Sequence, residues 1–332
     1  MPKEFRRLAV PEPLRDTARA LGFPLLGAVE AGESEFFPEF QAWLEAGKCA
    51  GMAYLREHAD ARRQPESVLP GVRSILMLGM PFGELEKLAE REYPGHPIRH
   101  CLARQTPENT ASEPPKNTAF VAQYAASGLD YHDIIRRQLK TLQKTFREFF
   151  PNQTSRGIVD TAPFFEREFA VRAGLGFLGR NRMLIHPDFG SLFFLAAILT
   201  TETLPETAEP PSTPLLTREE QLEFRRRCET CGQCLRACPT GALSETGLDA
   251  RLCASYLTIE DRSSEGSSTP IPSPYLLGCD ECQRHCPWNQ PFPPRTLFRL
   301  DAFPLTADTL RRTPFSRPGP EKLEARAAEL GK

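Results

Sequence analysis

The sequence predicts an α+β protein in three stretches. These are an α/β domain over residues 1–217, a small cysteine-rich module over 218–292 and a short C-terminal tail over 293–332. Three observations predict it. Apolar, strand-like runs alternate with amphipathic helical stretches in the first part. Eight of the ten cysteines crowd between Cys228 and Cys286. The proline-rich polar segment TETLPETAEPPSTPLLT (201–217) separates the two.

LRDTARALGF opens with a helical pattern and finds a stop at Gly22. PEFQAWLEAGKCAGMAYLREHA keeps helical spacing. VRSILMLGM (Val72–Met80), bounded by Pro70-Gly71 and Pro81, reads as a buried strand. From Tyr131 to Phe150, Ile134, Ile135, Leu139, Leu142, Phe146 and Phe149 line one face of a long helix, with Arg and Lys opposite. SLFFLAAILT (Ser191–Thr200) reads as a second buried strand. ARQTPENTASEPPKNT (103–118) reads as an exposed insertion, DRSSEGSSTPIPSP (261–274) as a loop inside the module, and EKLEARAAELGK as a short solvated helix.

The chain has 332 residues, 40% apolar and 25% charged, with a net charge of −2. No run of about 18 apolar residues offers a membrane span. MPKEFRRLAVPEPLRD lacks the apolar core of a secretory signal, so the expected compartment is a reducing cytoplasm. The balanced charge excludes a generally basic nucleic-acid coater and leaves a local basic groove open.

In a reducing compartment, clustered cysteines read as metal ligands before disulfides. The first run is Cys228-x2-Cys231-x2-Cys234-x3-Cys238-Pro239; the second is Cys279-x2-Cys282-x3-Cys286-Pro287, with Cys253 between. A C-x2-C-x2-C-x3-C-P run marks a ferredoxin-like, two-cluster fold in which the cysteine before proline ligates the other cubane. The spacing therefore assigns Cys228, Cys231, Cys234 and Cys286 to one [4Fe–4S] cluster. Cys238, Cys253, Cys279 and Cys282 go to the other. Two four-cysteine zinc sites are the alternative, but they seldom carry this crossed pattern. Cys49 and Cys101 read as ordinary thiols. His58, His132, His186 and His285 read as isolated surface or core histidines, and His96 with His100 lacks the glutamate of a zinc helix.

Clusters so arranged move single electrons, so substrate chemistry belongs to the larger domain. Gly174-Leu175-Gly176-Phe177-Leu178-Gly179-Arg180-Asn181 follows a helix-like stretch, which argues against a dinucleotide fingerprint. It reads as a tight turn that lets a bulky cofactor approach the main chain. Asp130, just before the long helix, suits an N-cap. Asp160, in IVDTAPFFERE, suits a loop Asx-turn or an acid.

DYH at 130–132, VDTAPFFER at 159–167, GLGFLGRN at 174–181 and GSLFFLAAILT at 190–200 occur in order. CPTGAL, CASYLTIE and GCDECQRHCPWN follow. Over about residues 15–290 this resembles the epoxyqueuosine reductase family, cobalamin-dependent iron–sulfur enzymes of queuosine-tRNA maturation. The resemblance implies two [4Fe–4S] clusters and cobalamin, and a tRNA substrate carrying epoxyqueuosine. The expected partners are an external low-potential electron donor and no membrane, and the expected state is a monomer. The resemblance makes Asp160 the proton donor, and a cofactor contact as well, held protonated in an apolar pocket that raises its pKa. Arg62, Leu184, Leu195 and Ile198 become cobalamin contacts, with Asp130 and Tyr131 near the same pocket.

The sequence departs from the family at QYAASGLDYH (Gln123–His132), which is one residue longer and lacks an arginine. The glycine turn ends in Gly179-Arg180-Asn181, and about 40 residues follow CPWN where many members continue into helical repeats. Two other functions compete: a related corrinoid reductase acting on a small molecule, as reductive dehalogenases do, and a non-catalytic electron carrier.

Overall fold

Ser74–Pro81 and Phe193–Thr200, the two apolar runs expected as buried strands, pair antiparallel along eight residues in the computed structural model. Residues 7–105, 113–207, 215–262 and 271–331 are described. Parts of the stretches at 103–118, 201–217 and 261–274 lie outside them.

The chain separates into two units, each assembled from discontinuous segments. One comprises Met1–Ala46, Tyr54–Leu85 and His132–Cys231, the other Gly47–Ala53, Glu86–Tyr131 and Gly232–Lys332. This differs from the contiguous boundaries expected at 217 and 292. The reason is strand pairing: the second unit's sheet draws on segments from both halves of the chain.

In the first unit, the strands run in the order Leu25–Glu30, Ser74–Pro81, Phe193–Thr200, Ser155–Ile158, and every pairing is antiparallel. Alternation sorts the side chains to two faces. Ile75, Met77, Ala197 and Leu199 meet the helix Glu166–Arg172 through Phe169 and Ala170 in one core cluster. Each fully buried side chain of that size contributes roughly 1.5–3 kcal/mol. Gly157 belongs to the opposite face, where the helix Tyr131–Phe149 packs. A Cβ there would stand 2.9 Å from Gln143 Oε1 and 3.3 Å from Leu139 Cβ. Glycine therefore lets the helix come close. The buried stripe is the expected one, Ile134, Ile135, Leu139, Leu142 and Phe146, whereas Phe149 is 41% exposed.

In the second unit, the sheet order is Tyr275–Leu277, Thr118–Val121, Thr296–Arg299, Leu102–Arg104, with the first pair parallel. The C-terminal residues are not a solvated tail. Thr296–Arg299 is an inner strand, and Phe315 and Leu323 are buried with Phe298 and Leu276. In the helix Pro320–Leu330, Arg326 is buried and donates from Nε to the Tyr275 carbonyl at 3.2 Å. Burying that cation ties the segment to the unit.

Candidate active site

Asp160 stands at the apex of a γ-turn. The Thr161 N–H donates to the Val159 carbonyl at 2.6 Å, and Asp160 takes φ +54°. A non-glycine residue in this region costs on the order of 1 kcal/mol, and such strain gathers at functional sites. The turn pushes the carboxylate outward. Its side chain is 64% exposed, with His132 Nε2 3.4 Å from Oδ2. This corrects the expectation of a carboxyl enclosed in an apolar pocket: the strained turn presents it to solvent. It also corrects the reading of His132 as an isolated histidine.

The enclosed acid is Glu166, six residues on. It opens the helix Glu166–Arg172, which is seated on the sheet by Phe169 and Ala170. Its Oε1 is buried and has no hydrogen-bond partner. Burial first, then the charge of Asp160, pushes its carboxyl up to about 8, against the pull of its own N–H, Arg167 and Arg62. Burial lowers the pKa of Arg167, against the pull of Glu166 and Asp160. The sequence held one signal for these residues: both belong to VDTAPFFER.

Arg62 ends a short 3₁₀ turn, Asp60–Arg62. Nη1 donates to the Phe164 carbonyl at 3.2 Å, while the buried Nε has no partner. Phe164 and Leu184 share the core cluster on which the half-buried Leu195 packs. Arg62, Leu184, Leu195 and the Asp160 turn are thus gathered on one side of the sheet. Ile198 is not. It has no exposed surface, and it lies an odd number of residues from Leu195 on an unbroken strand, so it faces the opposite side. The Ile198 side chain therefore lies apart from the Leu195 face. Asp130 and Tyr131 belong to the second unit. There the Asp130 N–H donates to the Arg312 carbonyl at 2.8 Å, and Tyr131 meets the edge of Tyr124 with ring centroids 6.4 Å apart.

Close backbone packing demands glycine at two positions of the turn. A Cβ at Gly176 would lie 2.4 Å from the Ile185 carbonyl oxygen, and one at Gly174 would lie 3.0 Å from that of Leu216. Backbone of Ile185 and Leu216 therefore fills the space that a side chain would take. The turn's end reaches a thiol: the Arg180 N–H donates to Cys228 Sγ at 3.4 Å, and Arg180 Nη1 donates to the Glu229 carbonyl at 2.8 Å.

In the second unit, burial raises the Cys238 thiol, but N–H groups of Leu243, Thr240 and Ala242 and the Thr240 hydroxyl outweigh it and hold the pKa low. Burial first, then Cys279, Cys253, Asp280 and Cys234, push Cys282 up, so these groups share one neighbourhood. N–H donors aimed at sulfur and crowded thiols suit an anionic cluster that takes thiolates as ligands. Cys49 is fully buried.

A family model described as a 4Fe-4S double cluster binding domain matches residues 227–289, and one described as epoxyqueuosine reductase QueG matches residues 62–161. The chain is 34% identical to the epoxyqueuosine reductase of Pseudomonas aeruginosa, covering 87% of this chain and 71% of that protein. It is 33% identical to that of Burkholderia pseudomallei, covering 82% and 64%. The chain thus spans about two thirds of the length of these relatives. An epoxyqueuosine reductase crystallised with an epoxyqueuosine-modified tRNA stem loop superposes with a TM-score of 0.72 at 22% identity, covering 96% of this chain and 80% of that one. The double-cluster domain, the ordered motifs and relatedness over most of its length agree, and the chain belongs to the epoxyqueuosine reductase family.

Proposed function

We propose that this protein reduces epoxyqueuosine to queuosine in tRNA. The observation that carries the reading is the gathering of Asp160, Arg62, Leu184 and Leu195 on one side of a sheet in a chain that also carries a double-cluster domain. The reaction breaks both carbon–oxygen bonds of the epoxide, forms one carbon–carbon double bond and releases water. It consumes two electrons and two protons.

Cys228, Cys231, Cys234 and Cys286 hold one cluster; Cys238, Cys253, Cys279 and Cys282 hold the other, fed by an external low-potential donor. Arg62, with its unmet Nε, would hold cobalamin together with Leu184 and Leu195, and the bound cofactor supplies a cobalt centre able to pass electrons to the epoxide. Asp160 places a proton on the departing oxygen. His132, 3.4 Å away, orients that carboxyl. The apolar wall of Phe164, Leu184 and Leu195 excludes water from the reacting carbons.

A polyanionic substrate fits the surface beside Asp160. The helix Tyr131–Phe149 exposes Arg136, Arg137, Lys140, Lys144 and Arg147. Among the described residues, Lys140, Lys144 and Arg147 meet no carboxylate, whereas Arg225, Arg227, Arg251, Arg299 and Arg317 each do. Arg136 Nη2 donates to Thr161 Oγ1 at 3.2 Å, which starts this face at the Asp160 turn. Phosphates would order along it. No described helix is long and apolar enough to cross a membrane. We assign the protein to the cytoplasm as a monomer.

The test is anaerobic reconstitution with iron, sulfide and cobalamin, followed by mass analysis of an epoxyqueuosine-bearing anticodon stem loop. Conversion to queuosine is expected. No conversion by the fully loaded protein overturns the proposal. Lys140→Glu with Lys144→Glu should weaken stem-loop binding and flatten its salt dependence by about one to two phosphate contacts.

A further inference from the structure

The proposed reaction takes two protons, and a single carboxyl holds one. Asp160, moreover, is exposed, so nothing around it keeps that proton in place between turnovers. A second store of protons is needed, close enough to reach Asp160 and shielded enough to stay protonated at neutral pH.

We propose that Glu166 is that store: it acts through Asp160, returning a proton to it after each donation. The inference rests on the proposed reaction and adds a residue to it. Three observations carry it. Asp160 and Glu166 lie on one short segment, the γ-turn and the first residue of the helix Glu166–Arg172, and the two carboxyls feel one another's charge. Glu166 Oε1 is buried without a hydrogen-bond partner, so this oxygen has room to carry a proton or to pass one on. Its cationic neighbours, Arg62 and Arg167, each donate one guanidinium N–H to a backbone carbonyl rather than to this carboxylate, Arg62 Nη1 to that of Phe164 and Arg167 Nη1 to that of Arg182. Neither guanidinium is shown in an ion pair with Glu166.

Burial and the Asp160 charge together lift the carboxyl to about 8, so it enters neutral solution protonated. The proton balance then closes. As the developing alkoxide, a far stronger base than either carboxylate, draws the proton from Asp160, Glu166 passes its own proton on to Asp160, becomes a carboxylate and regains a proton from solvent. Asp160 can then donate twice, once to the epoxide oxygen as its first carbon–oxygen bond breaks and once as it leaves as water. His132, also beside Asp160, is the competing source, but its Nε2 faces the same carboxylate that needs the proton.

Glu166→Gln keeps size and polarity but cannot release a proton, while Glu166→Asp keeps the acid. With the stem-loop substrate, the wild type should lose turnover as pH rises through about 8. Glu166→Gln should run about 10²-fold slower at neutral pH, the low end of what one positioned proton transfer contributes, and show no such alkaline limb. Glu166→Asp should restore the limb, and His132→Gln should leave it in place. A purely structural role would slow Glu166→Gln without moving the limb. A second readout needs no substrate. Infrared pH-difference spectra of the reconstituted protein should show a carboxylic-acid carbonyl band that disappears near pH 8 and is missing from Glu166→Gln. If that band or the alkaline limb persists in Glu166→Gln, the inference is overturned. If the wild type leaves the stem loop unchanged, the proposed function falls, and the infrared band still decides whether Glu166 carries the proton.

Discussion

The Cys238 thiol of the cysteine-rich module and the Glu166 carboxyl beside the Asp160 turn are both drawn away from water, but they are held in opposite charge states. Around Cys238, backbone N–H groups of Thr240, Ala242 and Leu243 point at the sulfur, so the buried group is held ready to be an anion. Around Glu166, burial dominates and one oxygen has no donor at all, so the group is held ready to be neutral. The contrast follows from the work each does. A cluster ligand keeps its negative charge permanently, and main-chain dipoles supply that without any moving part. An acid must keep a proton and then lose it, which a poorly solvated carboxyl does and a well-solvated one does not.

The largest expected effect breaks the thiol side. Cys253→Ala removes a ligand that sits with Cys279 and Cys282, so one cluster should be lost while the other survives. Iron should fall to about half of the eight atoms expected of two cubanes, and turnover should vanish. Iron and sulfide analysis with the visible spectrum checks this; retention of all the iron would contradict the ligand set. Next comes Asp160→Asn, with an expected loss of about 10²–10⁴-fold in turnover and unchanged cluster and cobalamin content. Asparagine tolerates the φ of +54° at the turn apex, so the fold should be indifferent. Wild-type rates in that variant would remove Asp160 from the donor role.

Legibility in the sequence divides along a similar line. Ligand spacing is local chemistry: two residues between cysteines bring successive thiolates to one cluster wherever the module sits, so a double-cluster domain could be read directly. The two central strands were equally legible, because a largely apolar run of strand length has few other fates. What could not be read depended on neighbours distant in sequence. Leu195 and Ile198 look equivalent in an apolar run, and only strand alternation within an observed register sends them to opposite faces. Gly174 and Gly176 have the spacing of a ligand turn, but the atoms that forbid a side chain belong to Leu216 and Ile185. The C-terminal segment reads as solvated because Arg326 is charged, yet the carbonyl of Tyr275 meets that charge inside the unit. Glu166 misleads in the same way. An acid in the first turn of a helix normally signals an exposed, dipole-favoured start, and its burial is a property of the sheet behind it.

The smallest expected effect sharpens the carboxyl side, and it is a stability effect rather than a rate effect. Glu166 has a folded-state pKa of about 8, well above the ordinary glutamate value of 4.5. Between those two pH values the folded chain keeps a proton that the unfolded chain has released. Stability therefore is fully present below about pH 4.5, declines as pH rises toward 8, and is flat beyond. Glutamine in its place has no proton to lose, so Glu166→Gln should gain on the wild type over that window, by on the order of 1–3 kcal/mol, the cost of leaving a buried carboxylate unmet. Denaturant midpoints at pH 5 and pH 9 should therefore diverge between the two proteins, with the variant ahead at the higher pH. Cys238→Ser, compared in the same way in the cluster-free protein, should show no matching gain, because the N–H groups around that position already favour an anion. Equal pH slopes for wild type and Glu166→Gln would mean that the Glu166 carboxyl finds solvent after all, and that the two regions treat their charges alike.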